Sequence, residues 1–363
     1  MQKETPFDIY HLTSPMSLPP LFNPSNDMAL AANLRQYTPP RHIQQMEADL
    51  AGLARFWDEG PWGWSLATKQ YYLRNGIPET ELPTDEWLAE HRRLSSREFA
   101  VAYYLRLNEE LRIKNEELES VLLPCQAHFC FSLNEVQSSI FRSATTGNAS
   151  WALALGSVAT EASACVSQRS KNVQCSILKS PWSSSGRGNV VVRGEMDEPT
   201  QRRIQKTIQE QGGIVVEPFY ADKELDFAME LWVDGSSTRF LGYSVFSADE
   251  MGHYGGNYVE SQDELLRRIS LPNELLQRLI DYHQRELSRL SYRGPVGIDM
   301  MRLSDGCVHP CVEINFRWTM GLLALALYNK GITDNQLLAG NPRQGFSAQI
   351  IDGKLCLRFN IEN

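Results

Sequence analysis

The chain has 363 residues, 42% of them hydrophobic, and a formal net charge of −9 at pH 7. That length predicts two domains, or one domain with a large accessory region, with enough apolar residues for proper cores. The acidic balance excludes a general affinity for DNA or RNA phosphates but leaves room for a local basic pocket.

Residues 1–124 read as one unit, an α/β N-terminal accessory domain. Its start, Met1-Gln2-Lys3-Glu4-Thr5-Pro6, lacks the apolar core of a signal peptide. Phe7 to Leu12 has strand character. Pro-rich text follows, then Phe22-Asn23-Pro24-Ser25-Asn26-Asp27, where an Ala/Leu run begins a helix. Asn26 or Asp27 is expected to cap that helix, with a substrate-contacting loop as the sharper alternative. Trp57, Trp62, Trp64, Tyr71 and Tyr72 make an aromatic middle that reads as core more readily than as a stacking platform. From Arg97 to Leu122 a long charged helix is predicted, with Leu105, Leu111, Leu118 and Leu122 as its apolar stripe.

Composition shifts at Pro124, where the boundary to a second domain, 125–363, is placed. Helices are expected over 133–170. A strand from Gln174 to Lys179, a small-residue loop and a strand from Asn189 to Arg193 follow. Asp197 caps the next helix, with Pro199 in its first turn, and Gly212-Gly213 stops it. Ile214 to Phe219 is a short buried strand; Asp226 to Val233 and Thr238 to Phe246 alternate as antiparallel strands. Leu275, Leu276, Leu279, Ile280, His283, Leu287 and Leu290 mark an amphipathic helix. His283 on its apolar side reads as a packed histidine, not a base. Thr319 to Tyr328 reads as a buried helix, and its apolar run is far too short to span a bilayer. No membrane or nucleic-acid partner is expected. The seven cysteines include no C-x-x-C pair and read as reduced thiols of a cytoplasmic protein.

The chemistry concentrates near the C-terminal end, in Gly297-Ile298-Asp299-Met300-Met301-Arg302 and Val312-Glu313-Ile314-Asn315-Phe316-Arg317. Strand alternation puts Glu313, Asn315 and Arg317 on one face and Ile314 and Phe316 on the other. A hairpin partner would set Asp299 beside them. Two carboxylates and an amide oxygen are hard ligands suited to Mg²⁺, and Arg317 offers a planar fork to a phosphate. The plain alternative is a solvated strand face with cross-strand ion pairs. Cys307-Val308-His309-Pro310-Cys311 has soft metal ligands, but Pro310 and the tight spacing make a shared zinc awkward. It is expected in the loop of the hairpin.

Earlier in the chain, Lys179 ends a strand and Ser183-Ser184-Ser185-Gly186-Arg187-Gly188 follows. A strand-end lysine can reach a phosphate, and small residues let backbone N–H groups approach one closely. A flexible hairpin loop fits the same text. There is no G-x-x-x-x-G-K-[ST] segment, and a strand rather than a helix follows the loop. Glu217 to Phe219 can hydrogen-bond adenine, and Asp226 can accept from ribose hydroxyls; either acid also suits a solvated strand end.

The order of these parts resembles the ATP-grasp superfamily over about residues 130–330. The resemblance rests on Lys179 with the Ser183–Gly188 loop, Glu217 with Asp226, and Asp299 with Glu313, Asn315 and Arg317. It implies an α+β fold in which two subdomains grip ATP. Lys179, Ser184, Ser185, Gly186 and Gly188 would cover the phosphates. Glu217, Phe219 and Asp226 would hold the nucleoside, and Asp299, Glu313 and Asn315 would hold Mg²⁺, or Mn²⁺. Arg317 and Lys179 would be catalytic. The family's earlier nucleotide-contacting lysine has no counterpart between Leu123 and Gln168; Arg142 is the candidate substitute. Gly252 to Tyr258 resembles the family's glycine-containing substrate loop. Arg239 and Arg302 would add positive charge near the phosphates or lie at the surface.

The expected chemistry is Mg²⁺-dependent ligation of a carboxylate to an amine through an acyl phosphate. A kinase-like phosphotransferase acting on a small metabolite, and a non-catalytic nucleotide-binding protein, are the alternatives. Small or peptide-like carboxylates and amines are the expected partners, with a homodimer as the base-rate assembly.

Overall fold

A computed structural model describes residues 18–57, 59–113, 121–123, 125–145, 175–183, 188–249 and 254–360. Helices α1 (Asn26–Ala32), α2 (Arg41–Leu50), α3 (Leu66–Arg74), α4 (Asp85–Leu94) and α5 (Arg97–Ile113) come first. Among the described residues before 114 there is no strand, and one isolated bridge joins Leu21 to Pro61. The expected strand at 7–12 and the helical region after 145 lie outside the described residues.

Two antiparallel sheets follow. The smaller contains β1 (His128–Cys130), β2 (Cys175–Lys179), β3 (Val190–Arg193) and β4 (Ile214–Pro218) in the order β1-β4-β2-β3. Helices α6 (Leu133–Thr145) and α7 (Glu198–Gln211) accompany it. Val136, Leu178, Val192, Ile204, Ile214 and Val216 form its core. The α7 signals act as read: the Asp197 carboxylate accepts from the Thr200 N–H at 2.9 Å, and Gly212 ends the helix at φ 84°.

The larger sheet has eight strands: β5 (Lys223–Val233), β6 (Thr238–Ala248), β7 (Tyr254–Tyr258), β8 (Gly294–Leu303), β9 (Val308–Asn315), β10 (Gln336–Gly340), β11 (Gly345–Ile351) and β12 (Lys354–Asn360). Their order is β10-β11-β12-β7-β6-β5-β8-β9. Helices α8 (Gln262–Ile269), α9 (Asn273–Leu287) and α10 (Met320–Asn329) complete the set. Alternation splits this sheet into two faces. Phe227, Met229, Leu231, Ile298, Met300 and Ile314 pack with α5 and α9 in the main core. The opposite set includes Asp226, Ala228, Glu230, Asp299, Glu313 and Asn315, which register brings side by side. A second core joins Phe22, Leu50, Trp57 and Trp62 to Trp318 and Leu322. The N-terminal helices therefore share both cores with the large sheet.

Several expectations are corrected. Leu105 is exposed, whereas Leu111 is buried as expected, joined on α5 by Phe99, Tyr103 and Leu107; Leu118 lies outside the described residues. Leu122 is not helical; it bridges Val308. The α1 cap position is Ser25 rather than Asn26 or Asp27, which are buried within the first turn. Tyr254–Tyr258, assigned to a loop, is strand β7. The Cys307–Cys311 run mostly lies within β9, and the hairpin turn precedes Val308. Of the aromatic middle, Trp57, Trp62 and Tyr72 are buried, whereas Tyr71 is exposed.

Candidate functional site

The β8–β9 register sets Asp299 opposite Glu313 and Gly297 opposite Asn315. All three polar side chains therefore leave one face, and Ile314 and Phe316 pack into the core on the other. The Asn315 amide donates to Asp299 at 3.1 Å, leaving the amide oxygen for another partner. Burial, then the facing Glu313, pushes the Asp299 carboxyl well above the usual carboxylate range. Two acids held this way are electrostatically opposed without a cation between them. Two carboxylates and an amide oxygen are hard donors of the kind that fit Mg²⁺. Among the described residues no group of three or more His, Cys, Asp or Glu is placed to hold a metal, so any ion here rests on two carboxylates, the amide and non-protein oxygens.

Two cations come from the N-terminal helices or meet them. Arg97, the first residue of α5, pairs with Glu313 at 3.0 Å and donates to the Ser183 hydroxyl at 3.1 Å. It is 5% exposed, and its Nε has no hydrogen-bond partner within the protein. Arg317 grips Asp27 of α1 through Nε at 3.0 Å and Nη2 at 2.9 Å, while Nη1 donates to the Trp318 carbonyl at 3.1 Å. Burial holds the Asp27 carboxyl above its ordinary value even beside Arg317.

Glu230 of β5 completes this face. It is fully buried and accepts from the Ser244 hydroxyl at 2.8 Å and the Thr319 hydroxyl at 2.9 Å. Thr319 in turn caps α10 by accepting from the Leu322 N–H. Burial raises the Glu230 carboxyl to about 7. Gly297 and Gly321 make room for it: a Cβ at Gly321 would lie well inside contact distance of both the carboxylate and Ser244.

These groups line a cleft of about 940 Å³, a size typical of small-molecule sites. Asp299, Glu313, Asn315, Arg317, Ser183 and Gly188 share its wall. Lys179, Glu217, Phe219 and Asp226 do not border it. Lys179 and Glu217 are both buried and form an ion pair with each other. Asp226 pairs with Lys223 at 2.6 Å, and burial raises its carboxyl. The Arg193 guanidinium lies over Phe219, 5.9 Å from the ring centre. The predicted residues thus fall into two groups, one on the cleft and one around the Lys179–Glu217 pair. Ser184, Ser185, Gly186 and the Arg142 side chain lie outside the described residues.

The remaining candidates separate clearly. Arg302 pairs with Glu224 at 3.1 Å rather than entering the cleft. His283 is fully buried, stacks on Tyr103 and meets its hydroxyl at 2.9 Å, as a packed histidine does. Sequence reading missed Arg97 and Glu230. Glu230 had a signal, since Asp226, Ala228 and Glu230 share strand parity with one another. Arg97 had none: as the first residue of a charged helix it looks like any solvated cation.

No family model matches the sequence, and no curated protein does. Several solved structures are similar to parts of the chain. N5-carboxyaminoimidazole synthetase from Staphylococcus aureus, complexed with ADP, is 10% identical with a TM-score of 0.41, covering 86% of this chain and 79% of that one. Pyruvate carboxylase from Rhizobium etli is 14% identical with a TM-score of 0.46, covering 73% of this chain and 19% of that one. Biotin carboxylase from Campylobacter jejuni, in a β-γ-ATP complex, is 14% identical with a TM-score of 0.33, covering 43% of this chain and 37% of that one. The chain thus spans well under half the length of these two carboxylases. At such identities and TM-scores, any functional reading rests on this chain's own residues.

Proposed function

We propose that the chain is an ATP-dependent ligase that joins a carboxylate to an amine through an acyl phosphate. One observation carries the reading: Asp299 and Glu313 face each other across a strand pair, with Asn315 beside them and Arg317 next along the chain, on the wall of one cleft. A carboxylate attacks the terminal phosphorus of ATP, ADP leaves, and the amine displaces phosphate from the acyl carbon. The demand on the protein is charge neutralisation and in-line positioning, with no covalent nucleophile of its own. Asp299, Glu313 and Asn315 would hold Mg²⁺, which when bound neutralises phosphate oxygens.

Arg317 orients an oxyanion at the cleft, and Asp27 fixes its guanidinium plane. Arg97 couples Ser183 to Glu313. Lys179 would reach phosphate by exchanging its bond to Glu217, and Glu217, Phe219 and Asp226 would take the nucleoside. The protein would act in solution on small or peptide-like substrates.

The test is isothermal titration with a non-hydrolysable ATP analogue, with and without Mg²⁺. The wild type is compared with a variant carrying both Glu313→Ala and Asn315→Ala. Mg²⁺-dependent binding that the double variant loses supports the reading, and an ADP-release screen of acid and amine pairs then follows. A folded wild type that binds no nucleotide at millimolar concentration refutes it.

A further inference from the structure

The cleft has two unlike halves. One carries Asp299, Glu313, Asn315 and Arg317. The other is walled by Met28, Met46, Met320, Phe346, Leu357 and Phe359. Met46, Met320, Phe346 and Leu357 pack against the second core, yet they and Met28 are only half-buried and Phe359 is 56% exposed, which leaves apolar surface on the cleft wall. They come from α1, α2, α10 and the β11–β12 hairpin, where Phe346 and Phe359 are cross-strand partners with rings 4.6 Å apart. Flexible methionines on such a wall accommodate chains of varied shape.

The halves meet at Arg317. Met320 lies three residues beyond it, and Met28 directly follows Asp27, its ion-pair partner. A guanidinium has five N–H groups. Asp27 and the Trp318 carbonyl engage three of them, through Nε, Nη2 and Nη1. Two remain for a ligand. A carboxylate is the head group that a planar guanidinium receives, and an ammonium is repelled. On the ligase reading the base would lie with Glu217, Phe219 and Asp226, which do not border this half.

We propose that the carboxylate substrate carries an unbranched or aromatic apolar body, with its head at Arg317 and its body against the methionine and phenylalanine wall. This rests on the ligase reading for its role in turnover, but the binding it predicts is separable from that reading.

The test is calorimetric titration of hexanoate, acetate and hexylamine into the full chain, with and without the ATP analogue and Mg²⁺. Each buried methylene tightens binding about fourfold. In a half-open cleft, hexanoate is therefore expected at least about tenfold tighter than acetate, and tighter than hexylamine. Met46→Asp and Phe359→Asp should each weaken hexanoate binding; the second alters a position that is 56% exposed.

Equal binding of acetate and hexanoate overturns the proposal, as does hexylamine binding best. Unchanged hexanoate binding in both variants places the acid elsewhere and overturns it too. If the analogue binds and hexanoate does not, the ligase reading stands and this proposal falls. If hexanoate binds as described and the analogue does not, the carboxylate site stands and the ligase reading falls.

Discussion

Replacing Glu230 with Gln tests whether the sheet face holds a buried acid that is neutral near pH 6. The Glu230 carboxyl is raised from 4.5 to about 7, chiefly by burial, against the lowering effect of the Ser244 and Thr319 hydroxyls. Between those two values the folded protein keeps a proton that the unfolded chain has released. Stability from this group is therefore fully present below pH 4.5 and is lost as pH rises through 7. The side chain is fully buried, so solvent does not screen the effect. At about 1.4 kcal/mol per pH unit, the window is worth about 3 kcal/mol. Gln keeps the shape and cannot ionise: its oxygen accepts from one hydroxyl and its amide donates to the other. The assay is urea unfolding of wild type and Glu230→Gln at pH 5, 6, 7 and 8. Titrations common to both proteins cancel in the difference. The variant should gain on wild type by about 2–3 kcal/mol from pH 5 to 8. Parallel stability curves over that range would refute the assignment.

Three histidines pull the other way. Burial lowers His91 to about 4, and His283 and His309 to about 3. Their contribution is present above the ordinary pKa of 6.5 and is lost as pH falls. At pH 5 each should cost about 2 kcal/mol, so melting at pH 5 should fall below that at pH 7, and His283→Gln should narrow the gap. Arg97→Met removes the partner of Glu313 and the tether to Ser183. ADP release should drop about 100-fold or more, with far-ultraviolet circular dichroism unchanged and partial recovery in Arg97→Lys. Gly321→Ala drives a methyl into Glu230 and Ser244 and should cost about 1–3 kcal/mol by thermal unfolding. Gly52→Ala meets nothing closer than 3.6 Å and should stay within about 0.5 kcal/mol.

What the sequence made legible followed from local rules. Strand alternation alone separated Glu313 and Asn315 from Ile314 and Phe316, because a period of two assigns faces without any knowledge of neighbours. The ends of α7 were readable because Asp197 and Gly212 act on backbone groups within a few residues. Errors arose where long-range packing decides. On α5 a leucine stripe was chosen, yet Phe99, Tyr103 and Leu107 meet the sheet and Leu105 faces out. The buried face is set by partners distant in sequence: Phe99 meets Phe316, and Tyr103 stacks on His283. From sequence, Asp27 offers a helix cap or a substrate-contacting loop, both local roles. Its actual partner, Arg317, is 290 residues away.

That distance explains how the N-terminal helices belong to the site. Both ends of the Glu313–Arg317 segment are held by opposite charges from outside the sheet: Arg97 on α5 takes Glu313, and Asp27 on α1 takes Arg317. A bare strand pair presenting two acids and a guanidinium would let those groups collapse onto one another. External partners hold them apart and oriented toward the cleft. The same helices supply Met28 and Met46 to its apolar half. Charge placement and substrate surface thus come from one structural unit, so a change in α1 that moves Asp27 would also move Met28, and the head and body of a bound acid would shift together. Comparing hexanoate with acetate in Asp27→Asn separates these effects. Loss of both acids to a similar degree indicates a disturbed head group at Arg317, and selective loss of hexanoate indicates a displaced wall.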